Sequence, residues 1–133
     1  MKRKTIFIIE KEAPVANLIR YHLLTQHQAR HVQVFPTPEK CLYFMHKKSI
    51  PDFLIADLDH PETHALGFLE TVMQSFPGIK ILFLSPNTDD TLVRRLMEEG
   101  ATDYIFKSAW MENWIRELVK NMKFLVREKN KVN

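Results

Sequence analysis

Four short polar clusters follow apolar runs in this 133-residue chain: Glu10-Lys11-Glu12, Asp57-Leu58-Asp59, Ser85 and Lys107-Ser108. Gathered carboxylates repel one another and resist joint ionisation unless a cation neutralises them. Magnesium is a hard ion that takes one or two carboxylates and keeps water and phosphate oxygens as its other ligands. A lysine acts as a point charge on a phosphoryl oxygen, and a serine hydroxyl can donate to another. Positioning and charge neutralisation are most of what phosphoryl transfer requires. If the fold brings these clusters together, they suit phosphoryl or metal chemistry.

The elements that must position them alternate along the chain. Residues 5–9, 32–35, 53–56, 79–84 and 104–106 are short, β-branched or aromatic runs that read as buried strands. Between them lie amphipathic stretches. Pro14 opens one, with Val15, Leu18, Ile19, His22 and Leu23 at helical spacing. Thr37-Pro38 is an N-cap followed by a first-turn proline, with Cys41, Leu42 and Met45 continuing that helix. A third helix, from about residue 65 to 75, turns Leu66, Leu69, Val72 and Met73 inward. Thr88 or Asp89 caps a fourth that runs to Glu99, with Gly100 at its end. From Met111 a long helix passes Arg127, with Trp114, Leu118, Met122 and Leu125 inward. Strands alternating with helices predict an α/β fold, a doubly wound five-stranded parallel sheet with five helices on its two faces. Right-handed crossovers favour the order 2-1-3-4-5. Ligands of such sheets bind beyond the carboxyl ends of the strands, where the order reverses. All four polar clusters fall at that edge.

Composition narrows the class. The length suits one domain, with a core over about residues 4–126 and a polar tail. One cysteine, Cys41, excludes an internal disulfide framework and reads as a packed thiol. No apolar run approaches a membrane span, and the run after the basic start is too short for a signal peptide, so a cytoplasmic protein is expected. A net charge of +3 is too dilute to argue for nucleic acid, and no helix-turn-helix remains once the elements are assigned. The glycines are only three, Gly67, Gly78 and Gly100, so a Gly-rich nucleotide loop is excluded.

Three segments carry a family resemblance. Pro51-Asp52-Phe53-Leu54-Ile55-Ala56-Asp57-Leu58 with Pro61 resembles the phosphoacceptor segment of response-regulator receiver domains. Residues 81–85, ending in Ser85, are similar to that family's fourth strand. Gly100-Ala101-Thr102-Asp103-Tyr104-Ile105-Phe106-Lys107 resembles its Gly-Ala-x-x-Tyr-x-x-Lys segment. The resemblance implies a flavodoxin-like three-layer sandwich in a two-component phosphorelay. Asp57 would accept a phosphoryl group from the phosphohistidine of a sensor histidine kinase or phosphotransfer protein. Ser85 would bond the phosphoryl group, Lys107 would pair with it, and Tyr104 would be the aromatic switch. Glu10, Asp57 and Asp59 would hold magnesium, Asp59 through its carbonyl. The fourth helix, fifth strand and fifth helix would meet an output domain or downstream protein. The long last helix and Trp110 leave room for a homodimer through that face. Such a domain assists its own phosphoryl transfer and dephosphorylation but is not a stand-alone enzyme.

The departures bear on the same site. The family's pair of adjacent acids is Glu10-Lys11 here, so an ammonium stands where an acid normally touches the metal. Lys11 predicts weakened magnesium binding, offset in part by Asp59 and by Glu12 if it swings in. Lys11 as a pocket cation stands against Lys11 as a solvated side chain. The family's Lys-Pro pair is Lys107-Ser108, and a cis peptide there would cost about 3–4 kcal/mol, so a trans, rearranged loop is expected. An alternative follows: a pseudo-receiver that keeps the fold and binds its partner without phosphorylation. His60 and His64 read as solvated loop residues in preference to a transition-metal site. Trp110 is expected to be exposed and Trp114 buried. Lys120, Lys123, Arg127, Lys129 and Lys131 read as a solvated helix face and tail.

Overall fold

The computed structural model describes residues 4–26, 29–57, 62–86 and 89–131. Five strands alternate with five helices: β1 (Lys4–Ile9), α1 (Ala13–Thr25), β2 (Ala29–Phe35), α2 (Pro38–Lys47), β3 (Phe53–Asp57), α3 (Glu62–Ser75), β4 (Lys80–Ser85), α4 (Asp90–Glu98), β5 (Asp103–Phe106) and α5 (Met111–Lys131). The strands form one sheet in the order β2-β1-β3-β4-β5, and every pairing is parallel. The predicted architecture and strand order are both observed.

Side-chain alternation splits the apolar residues between two faces. Phe7, Ile9, Leu54, Ala56, Ile81 and Phe83 point to the side covered by α2, α3 and α4. Ile6, Ile8, Phe53, Ile55, Leu82, Leu84 and Ile105 point to the side covered by α1 and α5. Burial on both faces explains why β1, β3 and β4 read as continuous apolar runs. Cys41 is fully buried, Trp114 is in the core and Trp110 is 73% exposed, each as expected.

Local chemistry sets the boundaries. The Thr37 hydroxyl accepts from the Lys40 amide at 3.2 Å, capping α2. Asp89 caps α4 by accepting from the Thr91 and Leu92 amides at 2.9 and 3.4 Å. Gly100 ends the turn after α4 with φ +120°, a conformation that favours glycine. At the amino end of the sheet, the Asp52 carboxylate accepts from the Thr5 amide at 2.9 Å. That bond ties the start of β3 to β1 and fixes which residues reach the opposite edge.

Candidate functional site at the carboxyl ends of the central strands

Register carries the site residues to one place. Ile9 pairs with Ala56, so Glu10 and Asp57 leave neighbouring strands side by side. Asp57 pairs with Leu84, and Ser85 pairs with Phe106. The Lys107 amide donates to the Ser85 carbonyl at 2.9 Å, which holds the chain beyond β5 against the end of β4.

The Lys107 side chain crosses the end of β4 to reach both acids. Its ammonium donates to Asp57 Oδ2 at 2.5 Å and to Glu10 Oε1 at 3.1 Å. The other Glu10 oxygen, Oε2, accepts from the Glu12 amide at 3.1 Å. Beneath the lysine lies Trp114, its ring centroid 5.3 Å from Nζ. Asp57 Oδ1 is buried and has no hydrogen-bond partner.

This triad is out of charge balance when both acids are ionised, since two carboxylates share one ammonium. The Glu10 side chain is fully buried and that of Asp57 nearly so, with only Lys107 reaching water. Burial pushes the Glu10 carboxyl up to about 7, aided by its hydrogen bond to Asp57 and by the like charge there; the Glu12 amide and Lys107 oppose the rise. Burial pulls the Lys107 ammonium down, but its contacts with Asp57 and Glu10 outweigh this and its pKa is raised. The site therefore favours an added positive charge, or a proton on Glu10.

On the other side of Asp57, Tyr104 and Ser85 meet. Burial raises the Tyr104 phenol, and the negative charges of Asp57 and Asp89 add to the rise, while a hydrogen bond with Ser85 lowers it. Tyr104 is half-buried and packs against the cluster under α3 and α4. A hydroxyl and a phenol are thus bonded to each other at the ends of β4 and β5, within reach of the charge of Asp57.

Of the remaining candidates, Glu12 and Lys11 are exposed. Glu12 contributes its backbone amide to the site. Lys11 borders a surface groove between α2 and α3 together with Leu42, His64 and Phe68. Asp59 and His60 lie outside the described residues. The Lys107-Ser108 peptide is trans, like every peptide among the described residues. Ser108 closes a short turn, its amide donating to the Phe106 carbonyl at 3.1 Å. Sequence reasoning missed two features: the direct bond between Glu10 and Lys107, and the stacking of Lys107 over Trp114. The second had a signal, because Trp114 follows Lys107 at the start of the helix that packs beneath it. Among the described residues no group of three or more His, Cys, Asp or Glu is placed to hold a metal ion. No helix there is long and apolar enough to cross a membrane.

A doubly wound sheet with a buried strand-end aspartate, a second acid and a bridging lysine is the arrangement that the receiver-domain resemblance implies. The family model of the response regulator receiver domain matches residues 6–120, and the chain belongs to that family. It is 31% identical over 111 residues to the transcriptional regulatory protein CreB of Escherichia coli K12, across 80% of this chain and 45% of that protein. The chain thus spans less than half of that curated relative. Among solved structures it is similar to the Mn²⁺-bound form of response regulator Rcp1, with a TM-score of 0.80, 17% identity, and coverage of 92% of this chain and 94% of the other. An atypical orphan response regulator, described as revealing a phosphorylation-independent regulatory mechanism, matches with a TM-score of 0.74, 22% identity, and coverage of 92% and 95%. These structural likenesses support the fold. Receiver domains work in two-component systems beside histidine kinases and output domains and are generally not stand-alone enzymes.

Proposed function

We propose that this receiver domain is phosphorylated on Asp57 by a histidine kinase or phosphotransfer protein in the cytoplasm and signals through the α4–β5–α5 face. The observation that carries the reading is the state of the Asp57 carboxylate: Oδ2 is held by Lys107 while Oδ1 is buried without a partner. A carboxylate oriented through one oxygen, with the other left without a partner, is placed to attack phosphorus. The new P–O bond to Asp57 forms as the P–N bond of the phosphohistidine breaks, and the departing imidazole nitrogen keeps the electron pair and takes up a proton. Lys107 offsets the charge that then gathers on the phosphoryl oxygens. Ser85 is the hydroxyl available to bond one of those oxygens. Moving Ser85 alters its bond with Tyr104, which carries the change toward the α4 face.

Magnesium fits the same pair of acids, because the unpartnered Asp57 oxygen beside Glu10 is a hard donor in a site short of positive charge. Glu10 and Asp57 are the described residues that would hold it, with the Asp59 carbonyl as the third donor proposed from sequence. When bound, the ion supplies charge neutralisation to the phosphoryl oxygens. Lys11, standing in place of an acid, weakens that binding.

Lys107 already bridges both acids, and this favours a second reading: a pseudo-receiver that binds its partner constitutively. The atypical orphan response regulator, with its phosphorylation-independent mechanism, is a structural neighbour of that kind. Intact mass after treatment with a small-molecule phosphodonor separates the two. One added phosphoryl group that requires magnesium and is absent in Asp57→Asn is the expected result. No adduct, under conditions that label another receiver, would select the pseudo-receiver.

A further inference from the structure

A groove of about 550 Å³ runs along the surface between α1 and α5, on the opposite side of the sheet from α4. Its floor is apolar: Ile115 is buried, and Leu18 and Val119 are half-buried. Its α5 rim is cationic, with Arg116, Lys120 and Lys123 all exposed. These three recur at four- and three-residue intervals and so share one helix face. None of them is paired with a carboxylate among the described residues. Among the described residues Glu112 is the one acid lining the groove, and it sits at the end nearest the site.

The groove extends from Glu112 to Lys123, roughly 17 Å along α5. We propose that it docks an acidic amphipathic helix of about three turns from a partner protein. Apolar residues of that helix rest on Leu18, Ile115 and Val119, and its carboxylates face Arg116, Lys120 and Lys123. Charge complementarity and shape select this occupant. A second copy docked symmetrically, groove to groove, would set the same cations against one another and repel. A bilayer cannot reach a floor that is sunk between two helices. A nucleic-acid backbone gains nothing from the apolar floor and meets Glu112 at one end. The surface shares α5 with the α4–β5–α5 face but opens toward α1, so the titration is made on the unphosphorylated protein.

The test is an amide NMR titration of the unphosphorylated protein with a synthetic helical peptide of about 14 residues, leucine at i, i+4 and i+7 and glutamate at most other positions. Saturable shifts confined to α1 and α5 are expected. Combined Arg116→Glu, Lys120→Glu and Lys123→Glu substitutions should weaken binding by about tenfold or more, since each reverses a rim charge. Those side chains are exposed, and an unchanged amide spectrum of the free variant checks that it folds. The same peptide with lysine in place of glutamate should not bind. Equal affinity of the reversed variant, equal binding of the lysine peptide, shifts that map to another face, or no shifts would each overturn the proposal. So would tighter competition by phosphatidylglycerol vesicles or a DNA duplex, or sedimentation showing a dimer that the same substitutions dissociate.

Discussion

The Lys107 ammonium lies 2.5 Å from Asp57 Oδ2, and the same nitrogen holds Glu10, so one partly accessible cation satisfies two buried acids. Lys107→Met leaves those acids facing each other without compensation. A stability loss of about 3 kcal/mol is expected, typical of a buried ion pair stripped of one partner. Urea denaturation measures it. Adding Asp57→Asn should restore most of the loss, and an equal loss in both backgrounds would show that the charges are not coupled.

Glu10 predicts an unusual pH dependence. Its folded pKa, about 7, lies above its ordinary value of 4.5. The folded state therefore holds a proton that the unfolded state has released, and stability falls as pH rises from 4.5 to about 7. The penalty is complete above that window and is on the order of 3 kcal/mol. Lys107 behaves in the opposite sense: its raised pKa gives stability that is full below 10.5 and lost at higher pH. Glu10→Gln should flatten the profile between 4.5 and about 7 in urea denaturation without divalent ions, and a slope unchanged by the substitution would refute the assignment.

Lys11→Asp should strengthen magnesium binding about threefold to tenfold, because it restores an acid near Glu10 and removes a cation. Trp114 offers the readout, since its ring lies 5.3 Å from Lys107 Nζ and a shift of the ammonium changes its surroundings. Trp110→Phe removes the exposed background fluorescence. Equal affinity before and after the substitution would mean that Lys11 does not act on the carboxylates.

Gly100→Ala should lower stability by about 1–2 kcal/mol. The backbone there has φ +120°, and an added Cβ would stand 2.9 Å from the end of the Met73 side chain. That thioether can swing aside, so backbone strain supplies most of the cost. Thermal unfolding measures it, and an unchanged midpoint would mean that the turn relaxes freely.

The sheet order and the central strands are legible in the sequence because burial on both faces leaves continuous apolar runs in β1, β3 and β4. The edge strand is only partly legible. β2 begins at Ala29, and Arg30 and His31 are exposed, so their polarity hides three residues of strand. Apolar periodicity also starts α3 late, at about residue 65 instead of Glu62, because it does not extend into the first turn. Strand ends identify Glu10, Asp57, Ser85 and Lys107 as neighbours, since parallel register places equivalent ends together. Spacing carries no reach, however. Nothing in the order of residues says that Lys107 spans β4 to touch both acids, while Lys11, next to Glu10 in sequence, borders a different groove. Those outcomes depend on side-chain direction at the strand ends, which apolar periodicity does not encode.

The helix α5 has 21 residues, while β3, the strand bearing Asp57, has five. At about 1.5 Å per residue, the part of α5 beyond Trp114 is a rod of roughly 25 Å. Trp114 sits near one end of that rod, directly beneath the ammonium that senses both acids. Leu118, Met122 and Val126 of the same helix are buried against the sheet, so the rod is clamped along its length and joins the acids at one end to the surface at the other as a rigid strut.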